Sequence, residues 1–375
     1  MELLFLESFY GGSHRDVADS IAASSRHDVE LMTLPARFWK WRMRGAALSF
    51  VRQVRDFSDY DLVVCTGLMS VADLRALAGD RFPPDRFPPD RFPPILVYAH
   101  ETQLAYPAPS EREADLHFAF TDLTNMLAAD CVAFNSHTHR NAYLEALPAF
   151  LRRLPEYRPM WAVDEIERKS IVCYPGVRAA WETHASALEP ARAEPPLVLW
   201  NHRWEFDKQP QAFFAAVREV KRRGIAFRLA VLGESFQVVP KEFVAARDEF
   251  APEIVAFGYL PDRDEYERWL RGADVVVSTA IQENFGIAVV EAIACGAYPL
   301  LPRRLSYPEI VPPDHHACLY DDHDDLVRKL CTLLAGRERP AAPESLVRHA
   351  RSFAWDERIM EFDALFDRVA KGGCR

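Results

Sequence analysis

Short apolar runs that alternate with helical segments constrain the fold of this chain more than any other feature. In the first half, the runs are Leu3–Leu6, Leu62–Cys65, Ile95–Ala99 and Cys131–Phe134, and a helical segment from Arg15 to about Ser24 follows the first of them. Continuous runs, unlike apolar–polar alternation, are typical of strands that are buried on both faces, as in a parallel sheet. The first half is therefore predicted to form a doubly wound α/β domain.

The second half repeats this pattern. Strands are predicted at 197–200, 228–232, 254–257, 275–278 and 298–301, with helices at 211–223, 241–249, 263–271 and 287–294. This alternation indicates a second Rossmann-like domain. We expect domains at 1–178 and 197–375, the latter ending in a C-terminal helix, joined by a polar, proline-containing linker at 179–196. Ligands of such sheets bind at the carboxyl ends of strands, so two domains facing each other would hold a ligand in the cleft between them.

Composition and charge exclude several classes of protein. The 375 residues suit about two domains, and 45 basic against 55 acidic residues give a net charge of −10, which argues against a uniformly basic nucleic-acid-binding protein. The seven cysteines include no C-x-x-C pair, and most of them are interpreted as small core residues of a reducing compartment. Glu2 stands where a signal peptide would carry a basic residue, and no apolar run approaches the roughly 18 residues of a membrane span. The sequence thus predicts a cytoplasmic protein without a transmembrane segment.

The strongest chemical motif is Glu283-Asn-Phe-Gly-Ile-Ala-Val-Val-Glu291, which follows a predicted strand and opens a helix. Backbone N–H groups near Phe285, Gly286 and Ile287 would point outward from the helix start, where anions bind. Glu283 in the loop and Glu291 about two turns into the helix could hold hydroxyl groups of two different sugars. The alternative interpretation is a helix cap with an unrelated glutamate.

A second motif is the loop that contains Arg203 and Lys208, directly after the first strand of the second half. An arginine fork and a lysine on one loop can bracket a diphosphate, and the helix that starts near Gln211 adds positive potential. Both could instead be solvated surface residues, an alternative that the nearby helix start weakens.

Two further candidate loops follow strands of the first half. Tyr10-Gly11-Gly12-Ser13-His14 lets the backbone approach a ligand closely, but it is not a dinucleotide fingerprint and could be only a tight turn. His100-Glu101-Thr102-Gln103 is a polar tetrad at the end of the strand Ile95–Ala99 and is interpreted as part of a site.

The segment 31–55 holds six basic residues and no acidic residue: Arg37, Lys40, Arg42, Arg44, Arg52 and Arg55. Phe38, Trp39 and Trp41 are interleaved with the first of them. Basic and aromatic residues together suit phosphate contact and base stacking. An amphipathic helix on an anionic membrane and a plain solvated helix are the alternatives.

These motifs together resemble those of a retaining GT-B glycosyltransferase of glycosyltransferase family 4, and those of the first half resemble the tRNA-queuosine α-mannosyltransferase family. The motifs that carry the resemblance are Glu7–His14, Leu34–Arg42, His100–Gln103, Phe134–Ser136, Tyr174–Arg178, the Arg203/Lys208 loop, Leu232-Gly233-Glu234-Ser235, Phe257–Pro261 and Glu283–Glu291. The chain departs from that family in three copies of Asp-Arg-Phe-Pro-Pro at 80–94, interpreted as an expanded surface loop, and at Thr102, where asparagine is usual.

The resemblance implies GDP-mannose as donor and the queuosine of a tRNA anticodon loop, tRNA-Asp in particular, as acceptor. Arg203 and Lys208 would neutralise the departing diphosphate, with catalysis by charge stabilisation and no metal or other cofactor. Sets of residues are implied for each ligand: Glu283, Phe285, Gly286, Ile287, Glu291 and Gly233 for the donor, His100 beside the mannose, Gly11, Gly12, Ser13, His14, Glu101 and Gln103 on the acceptor side, and Arg37, Trp39, Lys40, Trp41, Arg42 and Arg44 for tRNA.

Two alternatives remain at this stage: a GT-B transferase with a lipid or small-molecule acceptor, and a non-catalytic RNA-binding module on a transferase fold. The presence of Arg203, Lys208, Glu283 and Glu291 argues against the second.

Overall fold

A computed structural model describes residues 1–79, 92–106, 116–178, 180–181, 194–234 and 239–374. The chain forms two compact units, one made of Met1–Gly176 and Trp355–Arg375 and the other of Val177–Ala354. Most of the predicted linker, and residues 80–91 of the pentapeptide repeat, lie outside the described residues.

The first unit contains a parallel sheet of the order β2-β1-β3-β4-β5-β6. Its elements are β1 (Glu2–Tyr10), α1 (Gly12–Ser24), β2 (Asp28–Pro35), α2 (Trp39–Gln53), β3 (Leu62–Thr66), α3 (Val71–Gly79), β4 (Ile95–Ala99), α4 (Leu116–Ala128), β5 (Cys131–Phe134), α5 (His137–Arg152), α6 (Trp161–Arg168) and β6 (Ser170–Val172). Every residue of β3, β4 and β5 is buried, as the continuous apolar runs predict.

The second unit contains a parallel sheet of the order β12-β11-β10-β7-β8-β9. Its elements are β7 (Leu197–Asn201), α7 (Pro210–Arg222), β8 (Arg228–Leu232), α8 (Lys241–Glu249), β9 (Ile254–Gly258), α9 (Arg263–Gly272), β10 (Val275–Val277), α10 (Ile287–Ala294), β11 (Tyr298–Pro302), α11 (Tyr307–Ile310), β12 (Leu319–Tyr320), α12 (His323–Leu334) and α13 (Glu344–Arg351). The predicted strands and helices of this half are all present.

The last helix, α14 (Trp355–Ala370), belongs to the first unit, although the sequence analysis assigned it to the second domain. Phe362 packs against Tyr98 of β4, and the Asp363 carboxylate accepts hydrogen bonds from the Ser25 hydroxyl and the Arg26 backbone. A Cβ atom on Gly176 would lie 2.3 Å from the Trp355 ring, so only glycine lets the chain pass this close to α14.

Two of the cysteines form a disulfide that the expectation of a reducing compartment does not include. Cys131, at the start of β5, forms a disulfide with Cys374, which follows α14. The two residues are 243 apart in sequence, and their Cα atoms are 5.2 Å apart because α14 returns the chain to the first unit. Two cysteines this far apart in sequence carry no local spacing motif, so the sequence alone does not predict this bond. Within the described part of the chain, no helix is long and apolar enough to cross a membrane.

Candidate active site

The carboxyl ends of β1, β3 and β4 gather a buried polar cluster in the first unit. Glu7 on β1 is completely buried, and its two carboxylate oxygens each lie 3.3 Å from Nδ1 of His14 on α1. The same carboxylate accepts hydrogen bonds from the Phe9 backbone N–H (2.7 Å) and from the Thr66 hydroxyl (3.1 Å). Sequence reasoning assigned no role to Glu7, because an acidic residue inside an apolar strand carries no motif of its own.

The glycines before His14 meet steric requirements of the fold. A Cβ atom on Gly11 would lie 2.4 Å from Cβ of Ala36, which connects β2 to α2, and Gly12 has a left-handed φ of 53°. Both positions therefore need glycine to begin α1 whether or not a ligand approaches. Ser13 follows them and is exposed in the first turn of α1.

His14 and His100 stack face to face, with ring centroids 4.0 Å apart and an interplanar angle of 26°. Burial lowers the pKa of His14, but attraction by Glu7 and Glu101 outweighs burial and raises this pKa to about 10. Burial, reinforced by repulsion from His14 and His139, holds the pKa of His100 well below its usual value. The pair therefore consists of one imidazolium and one neutral imidazole at neutral pH.

Glu7, His14 and His100 are residue types that could hold a metal ion, and their ligand atoms all lie within 4.8 Å of one another. An ion must lie in the plane of each imidazole that binds it, about 2 Å from the nitrogen. Two ring planes 26° apart at a centroid distance of 4.0 Å meet far beyond that distance. The stacked arrangement does not fit a shared metal ion.

The polar tetrad after β4 divides into structural and accessible residues. Thr102, where the chain departs from the family pattern, is buried, and its hydroxyl lies 3.2 Å from Nε2 of His139. The Gln103 backbone N–H donates to the Asp122 carboxylate. Glu101 is partly exposed and has an Oε2 atom 3.9 Å from Nε2 of His14. The structure thus brings His14, His100 and Glu101 together. The roles assigned to them from the sequence, acceptor-side for His14 and Glu101 and beside the mannose for His100, stay predictions.

In the second unit, Lys208 and Glu283 come together from two loops. The Lys208 ammonium donates to the Gln282 carbonyl at 2.6 Å and lies 3.3 Å from Oε2 of Glu283 and 3.2 Å from Oδ2 of Asp207. Asp207 is fully buried, and its contact with the Lys208 ammonium helps to hold this side chain in position. Sequence reasoning placed Asp207 in the motif without giving it a role.

Arg203 lies on the same loop as Lys208 but is more exposed. Its side chain is 43% exposed and lies 3.5 Å from the Glu205 carboxylate. Gly233, at the end of β8, lies beside this loop: a Cβ atom there would be 1.8 Å from the His202 carbonyl oxygen. Gly233 is therefore required by the close approach of the loop, independently of any donor contact.

The Glu283–Glu291 motif adopts the predicted loop and helix. Gly286 has a φ of 100° and starts α10 at Ile287, while the Phe285 side chain is buried against Phe353. Glu291 is buried on α10, where its carboxylate lies 2.5 Å from the Arg263 guanidinium and 3.5 Å from the Tyr266 hydroxyl. The sequence analysis named neither Arg263 nor Tyr266, because both lie on a different helix, α9.

Most of the basic segment forms α2, which presents part of its surface to solvent. Trp41 is 76% and Phe38 66% exposed. Trp39 instead packs against Phe118 (ring centroids 5.1 Å apart), and the Lys40 ammonium lies 5.6 Å from the Trp39 ring centroid. Arg37, Lys40 and Arg44 are exposed, whereas Arg42 donates to the Pro35 carbonyl. Of the two tryptophans predicted to contact RNA, Trp41 is the accessible one.

Comparisons with known proteins identify the family of this chain. Residues 2–177 match the family model described as tRNA-queuosine alpha-mannosyltransferase N-terminal, and residues 185–351 match glycosyl transferases group 1. A tRNA-queuosine alpha-mannosyltransferase of Drosophila melanogaster is 33% identical over 88% of this chain and 85% of its own length. The chain belongs to the tRNA-queuosine alpha-mannosyltransferase family. The expected family and the enzyme class, a glycosyltransferase, are confirmed.

More distant relatives and solved structures confirm the two-domain GT-B fold. A GDP-mannose-dependent alpha-(1-6)-phosphatidylinositol dimannoside mannosyltransferase of Mycobacterium tuberculosis is 26% identical over 48% of this chain and 46% of its own length. A sucrose-phosphate synthase from Thermosynechococcus elongatus superposes with a TM-score of 0.70 at 16% identity, covering 98% of this chain and 99% of that structure. Anabaena HepE in complex with UDP superposes with a TM-score of 0.69 at 15% identity, covering 98% and 100%.

Proposed function

We propose that this enzyme transfers mannose, with retention, from GDP-mannose to the queuosine nucleoside at the wobble position of a tRNA anticodon, tRNA-Asp in particular. The reaction needs no metal ion or other cofactor and takes place in the cytoplasm. The observation that carries the proposal is the 33% identity to the Drosophila enzyme over 88% of the chain, which includes both units.

The second unit supports a diphosphate leaving group. Lys208 is held by Asp207 and Glu283, and Arg203 on the same loop is accessible to a ligand. As the bond between the anomeric carbon and the diphosphate oxygen breaks, these cations stabilise the negative charge that develops on that oxygen. The acceptor hydroxyl oxygen bonds to the anomeric carbon on the same face, and its proton passes to the departing phosphate oxygen. GDP and the mannosylated acceptor are the products.

Contacts of Glu283 and Glu291 support binding of a sugar nucleotide. Glu283 remains partly exposed beside Lys208, so its carboxylate can accept hydrogen bonds from mannose hydroxyls. Glu291 is held by Arg263 and Tyr266, which fix the carboxylate that would bind the ribose. The backbone N–H groups at the start of α10 add positive potential for the diphosphate.

The surface of α2 supports an RNA acceptor. Phe38 and Trp41 are exposed between basic residues, which suits stacking on unpaired bases and contact with phosphates. Met43 of α2, Leu68 and Phe118 form a small core against which Trp39 and Phe9 pack, and the Phe9 ring lies 6.0 Å from that of His14. The basic surface is therefore connected, within one unit, to the polar cluster of His14 and His100.

Mass spectrometry of tRNA nucleosides tests the proposal directly. The purified protein is incubated with queuosine-containing tRNA and, in parallel, with GDP-mannose, GDP-fucose, UDP-glucose or UDP-galactose. We expect one added hexose on queuosine with GDP-mannose only, and none on tRNA that carries guanine at the wobble position. Transfer to a lipid extract but not to tRNA would contradict the proposal and favour the lipid-acceptor alternative.

A further inference from the structure

We infer that His14 and Glu101 form a hydroxyl site, defined by Nε2 of His14 and Oε2 of Glu101, which binds one hydroxyl group of the acceptor, and that Glu7 orients this site. The inference rests on the proposed function, since it names the acceptor group that the first unit recognises. It assigns Glu7 a positioning role and gives His14 and Glu101 specific contacts.

The spacing of the two atoms fits a bridging oxygen. His14 Nε2 and Glu101 Oε2 are 3.9 Å apart, which is longer than an N–H···O hydrogen bond of about 2.7–3.2 Å. An oxygen atom about 2.8 Å from each of them, with an angle of roughly 90° between the two bonds, spans this distance. One hydroxyl group can therefore accept from His14 and donate to Glu101 at the same time.

The charges of the site select for a hydroxyl group. His14 is an imidazolium, so its Nε2–H is a donor, and Glu101 offers carboxylate oxygens as acceptors. A phosphate or carboxylate placed between them would be repelled by Glu101, and an ammonium group would be repelled by His14. A neutral group that both donates and accepts, such as an alcohol, satisfies both sides. The cyclopentenediol ring of queuosine, the proposed acceptor, carries two such groups.

The hydroxyl site is buried at one end and accessible to solvent at the other. The side chains of Glu7, His14 and Glu101 are 0%, 8% and 26% exposed, so the site opens to solvent at its Glu101 end. All three lie at the carboxyl ends of β1 and β4 or in the first turns of the segments that follow, where ligands of parallel sheets bind.

Glu7 keeps the His14 ring in place. Its carboxylate lies 3.3 Å from Nδ1 of His14 and is itself held by the Phe9 backbone N–H and the Thr66 hydroxyl. With Nδ1 directed at Glu7, the ring must direct Nε2 toward Glu101. On its face, His14 stacks on neutral His100, which fixes the ring tilt without competing for the hydroxyl group.

A double-mutant cycle tests the hydroxyl site. We expect His14→Gln and Glu101→Gln each to lower kcat/KM for queuosine tRNA by about 10- to 100-fold, as does loss of a hydrogen bond to a charged group. The double variant should lose little more than either single variant, because both side chains bind the same hydroxyl group. The dissociation constant for tRNA should barely change, since α2 supplies the phosphate contacts.

The role of Glu7 has its own readout. In Glu7→Gln, His14 retains Glu101 and His100 as its polar neighbours but loses its buried counter-charge, so its pKa falls and it becomes neutral as the pH rises. The loss in kcat/KM relative to the unmodified enzyme should therefore grow with pH between about 6 and 9, since neutral imidazole is the weaker donor. A pH-independent loss would show a merely structural role and overturn the positioning role.

Other outcomes separate this inference from the proposed function. Glu145→Gln, the same chemical change on the exposed surface of α5, serves as a control and should keep full activity. If the unmodified protein does not modify queuosine tRNA at all, the proposed function fails. If it does, but the two substitutions leave kcat/KM unchanged or reduce it by independent factors that multiply, the hydroxyl site is wrong. Thermal unfolding of each variant identifies any loss caused by misfolding.

Discussion

At the scale of single residues, the contact between Lys208 and Glu283 means that a carboxylate and a cation share one small surface of the second unit. Both have further partners in the fold: Lys208 contacts Asp207 and the Gln282 carbonyl. Removing one ligand-binding side chain therefore leaves the loop supported by the other contacts. Substitutions here should change chemistry far more than stability.

We predict that Glu283→Ala abolishes transfer and leaves the fold intact. The substitution removes the partly exposed carboxylate proposed to bind mannose, while Asp207 continues to pair with Lys208. Mannosyl-queuosine formation and thermal unfolding are measured side by side, with Glu249→Ala on exposed α8 as the control. Near-normal turnover of Glu283→Ala would remove Glu283 from the site.

For Arg203→Ala we expect a fall in kcat by a factor on the order of 10² or more, because charge stabilisation of the leaving group acts in the transition state. Arg203 is 43% exposed and its removal opens no cavity in the core. Steady-state kinetics with varied tRNA and GDP-mannose separate this effect from binding. Arg222→Ala, which removes an arginine that is 71% exposed on α7, should have no effect. A change confined to the KM for tRNA would contradict the assigned role.

At the scale of secondary-structure elements, α2 is the element whose function the sequence leaves most open. Its buried face, which includes Met43, Ala46, Ala47 and Phe50, holds it against the first unit. Its exposed face carries Trp41, Arg44, Leu48 and Arg52 at helical spacing. An RNA surface, a membrane surface and a solvated helix could all share this pattern, so only a functional measurement separates them.

Neutralising Arg37, Lys40, Arg42 and Arg44 together should raise the apparent KM for tRNA strongly and flatten its salt dependence, because phosphate contacts release counterions. Kinetics at several salt concentrations test this, with neutralisation of Arg222, Arg223, Arg247 and Arg348 as a control of equal charge. Loss of liposome binding with unchanged tRNA kinetics would support a membrane surface. No change in either assay would support a solvated helix. Both results would contradict an RNA surface.

The elements also show what the sequence could and could not predict. Strands such as Ile95–Ala99 were predictable because both faces are buried and every residue is apolar. β2 (Asp28–Pro35) was not predicted because it is an edge strand with polar and half-exposed residues. β12 was not predicted because it has only two residues. Glu7 was missed for a different reason. Its role depends on contacts with His14, Thr66 and Phe9, which only tertiary packing brings together.

At the scale of the whole molecule, we predict that catalysis needs no metal ion. The leaving diphosphate has Arg203, Lys208 and the start of α10 available, and the stacked rings of His14 and His100 do not fit a shared ion. Activity is measured after dialysis against EDTA and after adding back magnesium, manganese or zinc. Full activity in EDTA is expected. Loss of activity in EDTA that one of these metals reverses would contradict the prediction and would mean that a metal ion helps to neutralise the leaving diphosphate.

The disulfide between Cys131 and Cys374 joins two distant parts of the chain. The chain leaves the second unit after Ala354, and α14 then packs within the first unit through Phe362 and Asp363. After α14, Cys374 forms the disulfide with Cys131. This bond closes a loop that contains the entire second unit, so it restricts the unfolded chain over a sequence separation of 243 residues.

Cys374→Ser should lower the free energy of unfolding by about 2–4 kcal/mol and should make stability independent of dithiothreitol. Urea unfolding with and without the reductant measures both effects. Cys295→Ser, a substitution of a free cysteine on the second unit, should keep the sensitivity to dithiothreitol. The Cys374→Ser variant should still form mannosyl-queuosine at low temperature, because the bond lies at the amino-terminal end of β5, whereas the proposed site lies at the carboxyl ends of the strands. Equal stability of the oxidised protein and of Cys374→Ser would show that α14 is held by its packing alone.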